Sequence, residues 1–190
     1  MSSSRAAHAR NLIGPLIRSA YRIDVRGSEH VPARGALLIV CDWNNIAAPG
    51  ILKSAIARPV HVWASGPAAL PGPLLSVTGD LAMPDARSGV CVVGRVIDLL
   101  QDGEAVVGVG VRDVGYVLAR TGAPVVVAAI DAPATKRPTD PPARKSEITV
   151  TLRAPHALPD RLAPTRVTRG TARSASEWVR RIVADGVVAR

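Results

Sequence analysis

The chain has 190 residues, 47% hydrophobic and 21% charged, which suits one domain with a sizeable core and excludes a largely disordered chain. Its formal net charge of +9 is carried by 21 Arg and only 3 Lys, and the absence of Phe leaves Val, Leu, Ile and Ala to build the core. The longest apolar runs, among them Ala105–Val111 and Gly122–Ile130, fall far short of the ~20 residues that span a membrane, and no signal peptide is visible, so a cytoplasmic protein, at most peripheral at the inner membrane face, is expected.

In chain order, Leu12, Ile13, Leu16, Ile17 and Ala20 recur at helical spacing and predict a short amphipathic helix starting near Pro15. Tyr21–Arg26 alternates as a strand that Gly27 ends. After the turn-like residues 31–35, Ala36–Cys41 is a continuous apolar run typical of a buried strand. A helix from about Pro49 to Ala57 and a strand over Val60–Trp63 follow. Leu70–Val77 reads as a helix broken by prolines, and Ser88–Gln101 as a longer helix with Val92, Val96, Leu99 and Leu100 on one side. Ala105–Val109 is a buried strand, Asp113–Arg120 a helix, and Pro124–Ile130 a third long apolar strand. Pro133, Pro138, Pro141 and Pro142 mark a loop, and Glu147–Arg153 alternates as a strand expected at a sheet edge. Ala172–Val188 closes the chain as an amphipathic helix with Ala175, Trp178, Val179, Ile182 and Val183 inward.

Strands alternating with helices predict a single α/β domain, a mostly parallel central sheet covered by helices. The expected parts are an N-terminal helix at 1–20, the α/β unit at 21–153 with a Pro-rich loop at 132–146, and a basic C-terminal segment with its closing helix at 154–190. In such sheets sites form beyond the carboxyl ends of the strands. Asp42–Pro49 and Gly110–Asp113 should therefore border the site.

Charge is uneven: residues 1–34 carry +4, residues 35–135 carry −2 and residues 136–190 carry +7. Basic ends of this kind suit an anionic membrane, an acidic protein partner or nucleic acid. Nucleic acid is the weakest of these, because no aromatics interleave the arginines and no binding signature is present. Cys41 and Cys91 lie in apolar runs and read as buried free thiols. His8, His30 and His156 read as surface residues and His61 as structural. None has metal-ligand spacing, so neither metal nor cofactor is expected.

The run Val25-Arg26-Gly27-Ser28-Glu29-His30-Val31-Pro32, then Gly35 and the strand after it, resembles the approach to the first motif of the lysophosphatidic acid (glycerophospholipid) acyltransferases. The lead-in Leu99-Leu100-Gln101-Asp102-Gly103-Glu104, the later Thr121-Gly122-Ala123-Pro124-Val125 and the segment Gly79–Asp85 are similar to further segments of that family, the last without its Arg. The resemblance spans roughly residues 12–131. It implies an acyltransferase-like fold, and an activity that moves an acyl group from a thioester to a glycerophosphate hydroxyl.

The chemical positions depart from that pattern. Where the family has Asn-His and, five residues after the His, an Asp, this chain has Asp42, Trp43 and Ala48. Where it has Phe-Pro-Glu-Gly-Thr-Arg, this chain has Val107-Gly108-Val109-Gly110-Val111-Arg112, so Val109 replaces the Glu. An alcohol needs a base to take its proton, and an indole N–H donates but does not accept one. Asp42 is a weak substitute base, competing with a role as helix cap. Cys41 as an acyl-accepting thiol lacks a His neighbour. Arg112 suits a phosphate, which a guanidinium binds through two hydrogen bonds. Gly110, Asn44 and Asn45 complete the expected substrate-binding set.

The resemblance therefore implies a catalytically degenerate member that binds an acyl chain, acyl thioester or phospholipid, or a protein partner, in a regulatory role. Whether the Trp43 indole plugs the pocket is open at this level. The alternative is an active acyltransferase with a relocated base, acting on a lysophospholipid or another alcohol.

Overall fold

The structure, a computed structural model, describes residues 13–66, 81–83, 89–162 and 167–188. Its strands are β1 (Arg22–Arg26), β2 (Leu37–Cys41), β3 (His61–Ser65), β4 (Leu81–Met83), β5 (Ala105–Val109), β6 (Val125–Asp131) and β7 (Glu147–Leu152). They form one seven-stranded sheet in the order β1-β7-β6-β2-β5-β3-β4. The five strands from β6 to β4 are mutually parallel, β7 is antiparallel to β6, and β1 is parallel to β7.

Residues 13–20 form helix α1, followed in the chain by α2 (Ala48–Ala55), α3 (Gly89–Gln101), α4 (Val114–Thr121) and α5 (Arg169–Val188). The α1/α2 pair covers one face of the sheet and the other three helices cover the second. Strand alternation sorts the core between these faces. Leu37, Ile39 and Cys41 of β2 join the α1/α2 side, whereas Leu38 and Val40 join the α3–α5 side. Helices on both faces explain why β2 and β5 are apolar at every residue: neither has a wet side.

Two helix junctions fix this second layer. Gly122 adopts a left-handed φ of 63° and its N–H bonds Leu118 O at 2.8 Å, ending α4 and turning the chain into β6. Gly115 lies where α4 meets α5, and a Cβ there would collide with Ser176 Oγ and the Ala172 carbonyl. The helices meet this closely only because that side chain is missing.

Among the described residues the predicted strands and helices occur with ends shifted by a few residues, and three expectations change. The strand Glu147–Leu152 is interior, between β1 and β6, so its alternation records one wetter face and not a sheet edge. The edges are β1 and the short β4, which periodicity did not reveal. Cys91 is exposed on α3, off the apolar stripe of that helix, while Cys41 is buried. Helix α5 starts at Arg169, ahead of the expected Ala172, because Thr168 and Thr171 cap it reciprocally, each backbone N–H donating to the other's Oγ1 at 2.9 and 3.2 Å. The predicted helix Leu70–Val77 lies outside the described residues, as do His8 and most of the Gly79–Asp85 segment. Among the described residues no helix is long and apolar enough to cross a membrane.

Candidate functional site

The carboxyl ends of the parallel strands present two different surfaces. On the α1/α2 face, register sets Val109 beside Cys41 and Ala64, and Cys41 beside Ala128. All four are buried, Val109 completely. Ala48, at the start of α2, is also fully buried, and the half-buried Trp43 packs against the same cluster. The three positions at which the resemblance expects His, Asp and Glu thus share one apolar, closely packed neighbourhood. Burial, together with the nearby Asp42 carboxylate, pushes the Cys41 thiol up to about 12, so it stays protonated at ordinary pH and is no nucleophile.

The loop after β2 is organised by Asn45. This residue is 2% exposed; its Oδ1 accepts the Ala47 N–H at 2.9 Å, and its Nδ2 donates to the Asp140 carbonyl at 3.0 Å and to Thr135 Oγ1 at 3.4 Å. Ile46 N–H donates to the Pro138 carbonyl at 3.1 Å. The Pro-rich segment 132–146 is thereby strapped across the loop, with its far end held by Tyr21, whose hydroxyl donates to the Pro142 carbonyl. Asn45 therefore has its amide occupied within the fold. It also performs the turn-forming role expected of Asp42, which is exposed and makes no cap: the residue before α2 is Ala47, with no side-chain cap.

Asn44 stands against the loop after β5. Gly110 has a left-handed φ of 65°, and a Cβ there would lie 2.9 Å from Asn44 Cγ and Oδ1. Only glycine combines that backbone with that approach. Ser65 Oγ donates to the Gly110 carbonyl and ties the end of β3 to the same turn. Asn44 Oδ1 is buried with no hydrogen-bond partner among the described residues.

The α3–α5 face of this edge is open. A cavity of about 570 Å³ lies between β2, β5, the start of α4 and the middle of α5. Its apolar wall includes Val40, Val111, Val114, Val179 and Val183. Asp42, Arg112, Ser176 and Arg180 supply its polar groups, and Asp42, Arg112 and Arg180 are all exposed. The structure therefore separates the expected site residues. Trp43, Ala48 and Val109 sit on the closed face, Asp42, Gly110 and Arg112 line the open pocket, and Asn44 lies against the Gly110 turn. Arg180 and Ser176 were not singled out from the sequence, because nothing in a helix 60 residues or more beyond Arg112 marks which turn will face β2 and β5.

The histidines lie elsewhere. His61 is 2% exposed on β3. His30, expected on the surface, is half-buried, with Nδ1 2.9 Å from the Leu152 carbonyl. His156 is exposed and meets Trp178 edge-on at 6.5 Å between ring centroids. Among the described residues no three His, Cys, Asp or Glu side chains are grouped to hold a metal.

No family model matches the chain, and no curated protein sequence does. Among solved structures, it is similar to the 1-acyl-sn-glycerophosphate (LPA) acyltransferase PlsC from Thermotoga maritima, with a TM-score of 0.61 over 95% of this chain and 79% of that one. This is an acyltransferase-like fold. Identity is 14%, so the likeness is one of architecture. It matches the fold that the sequence segments suggested, and it leaves the chemistry to be argued from the residues present.

Proposed function

We propose that this chain is an acyltransferase-fold protein that has given up acyl transfer by the usual His–Asp route and acts by binding a lipid or acyl ligand. One observation carries the reading: positions 43, 48 and 109 hold an indole, a methyl and an isopropyl group in one apolar neighbourhood. None of these accepts a proton, and the one nearby thiol is held protonated. A positioned general base contributes about 10²–10⁴ in rate, so a chain without one should be at best a residual catalyst. The lipid or acyl ligand is supported by the likeness to an acyltransferase and by the apolar pocket at the same sheet edge.

The test is transfer of a radiolabelled acyl group from acyl-coenzyme A or acyl carrier protein to 1-acylglycerol-3-phosphate. Expected is no product above the protein-free background. Robust turnover would overturn the reading. A second reading has one observation in its favour, the Asp42 carboxylate at the pocket. Turnover that disappears in Asp42→Asn would establish that residue as a relocated base.

A further inference from the structure

The outer surface of the helical layer carries charge that the fold does not use. Helices α4 and α5 meet where Gly115 lies against Ala172 and Ser176. Back along the chain from Gly115, Val114 and Arg112 line the cavity together with Val179, Arg180 and Val183, which lie further forward along α5. The two helices are therefore antiparallel. At equal rise from the Gly115 contact, Tyr116 lies level with Arg173 and Arg120 with Arg169. All four are exposed on the side of their helices away from the sheet, and Tyr116, at 42%, is one of two large exposed hydrophobic residues among those described. Arg169, Arg173 and Arg180 follow one another at intervals of four and seven residues, so they form a single stripe about 16 Å long on α5. Among the described residues Arg120, Arg169 and Arg180 make no ion pair. Arg173 meets Glu177 at 3.3 Å, an exposed pair that holds the guanidinium only weakly.

From this we infer that the outer face of α4 and α5 docks an acidic helix of another protein, its carboxylates along the α5 stripe and Arg120, its apolar side against Tyr116. This goes beyond the proposed ligand binding and stands whether or not the chain transfers acyl groups. The spacing of the stripe is that of a helix, so a partner helix with carboxylates four and seven residues apart matches it over three turns. A guanidinium meets a carboxylate with two parallel hydrogen bonds, and Arg and Tyr are the residues enriched where proteins meet. A second copy of the chain does not fit, because two chains of net charge +9 repel. A phosphate-covered surface fits less well than a protein. Its uniform negative charge would meet Glu177 beside the stripe as a repulsion, and one tyrosine is no stacking platform for successive bases. A protein can leave Glu177 at the wet rim of the contact.

Fluorescence anisotropy of the full chain with a labelled helix-forming peptide, its glutamates at the spacing of the arginine stripe, tests this. A second peptide of the same composition, with its glutamates spread around the helix, is the control. The patterned peptide should bind about 10-fold or more tightly than the control. The double variant Arg120→Gln, Arg169→Gln should weaken it by about 10-fold or more, and Tyr116→Ala by several-fold. Removing the same charge at the far sheet edge, with Arg22→Gln and Arg26→Gln on β1, should change its affinity by less than about twofold. All five residues are exposed, and an unchanged circular dichroism spectrum checks that each variant is folded. Four results would each overturn the inference. They are no binding of the patterned peptide, equal binding of the two peptides, unchanged affinity in the Arg120, Arg169 variant, or an equal loss in the β1 variant. Tighter binding of phosphatidylglycerol vesicles or of oligouridylate, lost in the Arg120, Arg169 variant, would likewise overturn it and give the face to a membrane or to RNA.

Discussion

The two faces of the sheet meet at the same carboxyl edge, yet they are built oppositely. On the α1/α2 side Cys41, Ala64, Val109 and Ala128 lie shoulder to shoulder, and of these four only Cys41 carries an ionisable group, a buried thiol. One residue earlier and one later along β2, Val40 and Asp42 look the other way, into a cavity with two arginines. The difference between a closed core and an open pocket is thus set by the two-residue period of a single strand. A reader of the sequence who asks only which family residues are missing sees the closed face. The open one is assembled from a helix far along the chain.

The contrast is broken most severely by returning a carboxylate to the closed face. Val109→Glu would bury that group in a fully enclosed apolar row, where an uncompensated polar side chain costs roughly 2–7 kcal/mol. We expect a loss of more than about 3 kcal/mol in denaturant unfolding and no gain in acyl transfer, whereas Asp42→Asn on the open face should stay within about 0.5 kcal/mol of the parent. Similar effects for the two substitutions would mean that the faces are alike.

A smaller effect comes from the strap. Asn45→Ala removes the bonds to Ala47, Thr135 and Asp140 and leaves a buried N–H and carbonyl unmet, at about 1–3 kcal/mol. Hydrogen exchange should quicken over residues 132–146 and leave β5 unchanged. Protection that drops uniformly would show the strap to be an integral part of the sheet's folding unit.

The mildest test is chemical. In the folded chain the Cys41 thiol is raised from 9.0 to about 12, so the native state keeps its proton where the unfolded chain loses it. The unfolded state then binds fewer protons, and the stability contributed by this group falls as pH rises from about 9 towards 12. Cys41→Ala should flatten that alkaline slope. In the native protein iodoacetamide at mildly alkaline pH should label the exposed Cys91 and spare Cys41. Equal labelling would open the closed face.

Much of the fold was legible because its central strands are apolar throughout, which in a chain of this length means a sheet covered on both sides. The positions of β2, β5 and β6 followed from their runs, and α5 was betrayed by Ala175, Trp178, Val179, Ile182 and Val183 at helical spacing. Burial alternation in Glu147–Leu152 was misread as an edge because a wet face and an unpaired edge leave the same period-two trace. The strand β4, three residues long, is too short to have a period at all. At the site, the missing proton acceptors were plain from positions 43, 48 and 109. The choice between Asp42 and Asn45 as turn former was not, since both are good at it and only the segment 132–146 decides. The pocket partner Arg180 was invisible for a different reason: exposed arginines on α5 look alike until the glycine at 115 seats the helix.

The reversal of direction between β6 and β7 has a bearing on how this protein can change over time. A crossover to a parallel neighbour would have carried the chain to the opposite end of the sheet, but the reversed pair starts and finishes its link at the same rim as the cavity mouth. Residues added to or trimmed from 132–146 would therefore alter what stands over that rim while every strand kept its register. Such a connection offers variation in molecular recognition with little penalty to the architecture beneath it.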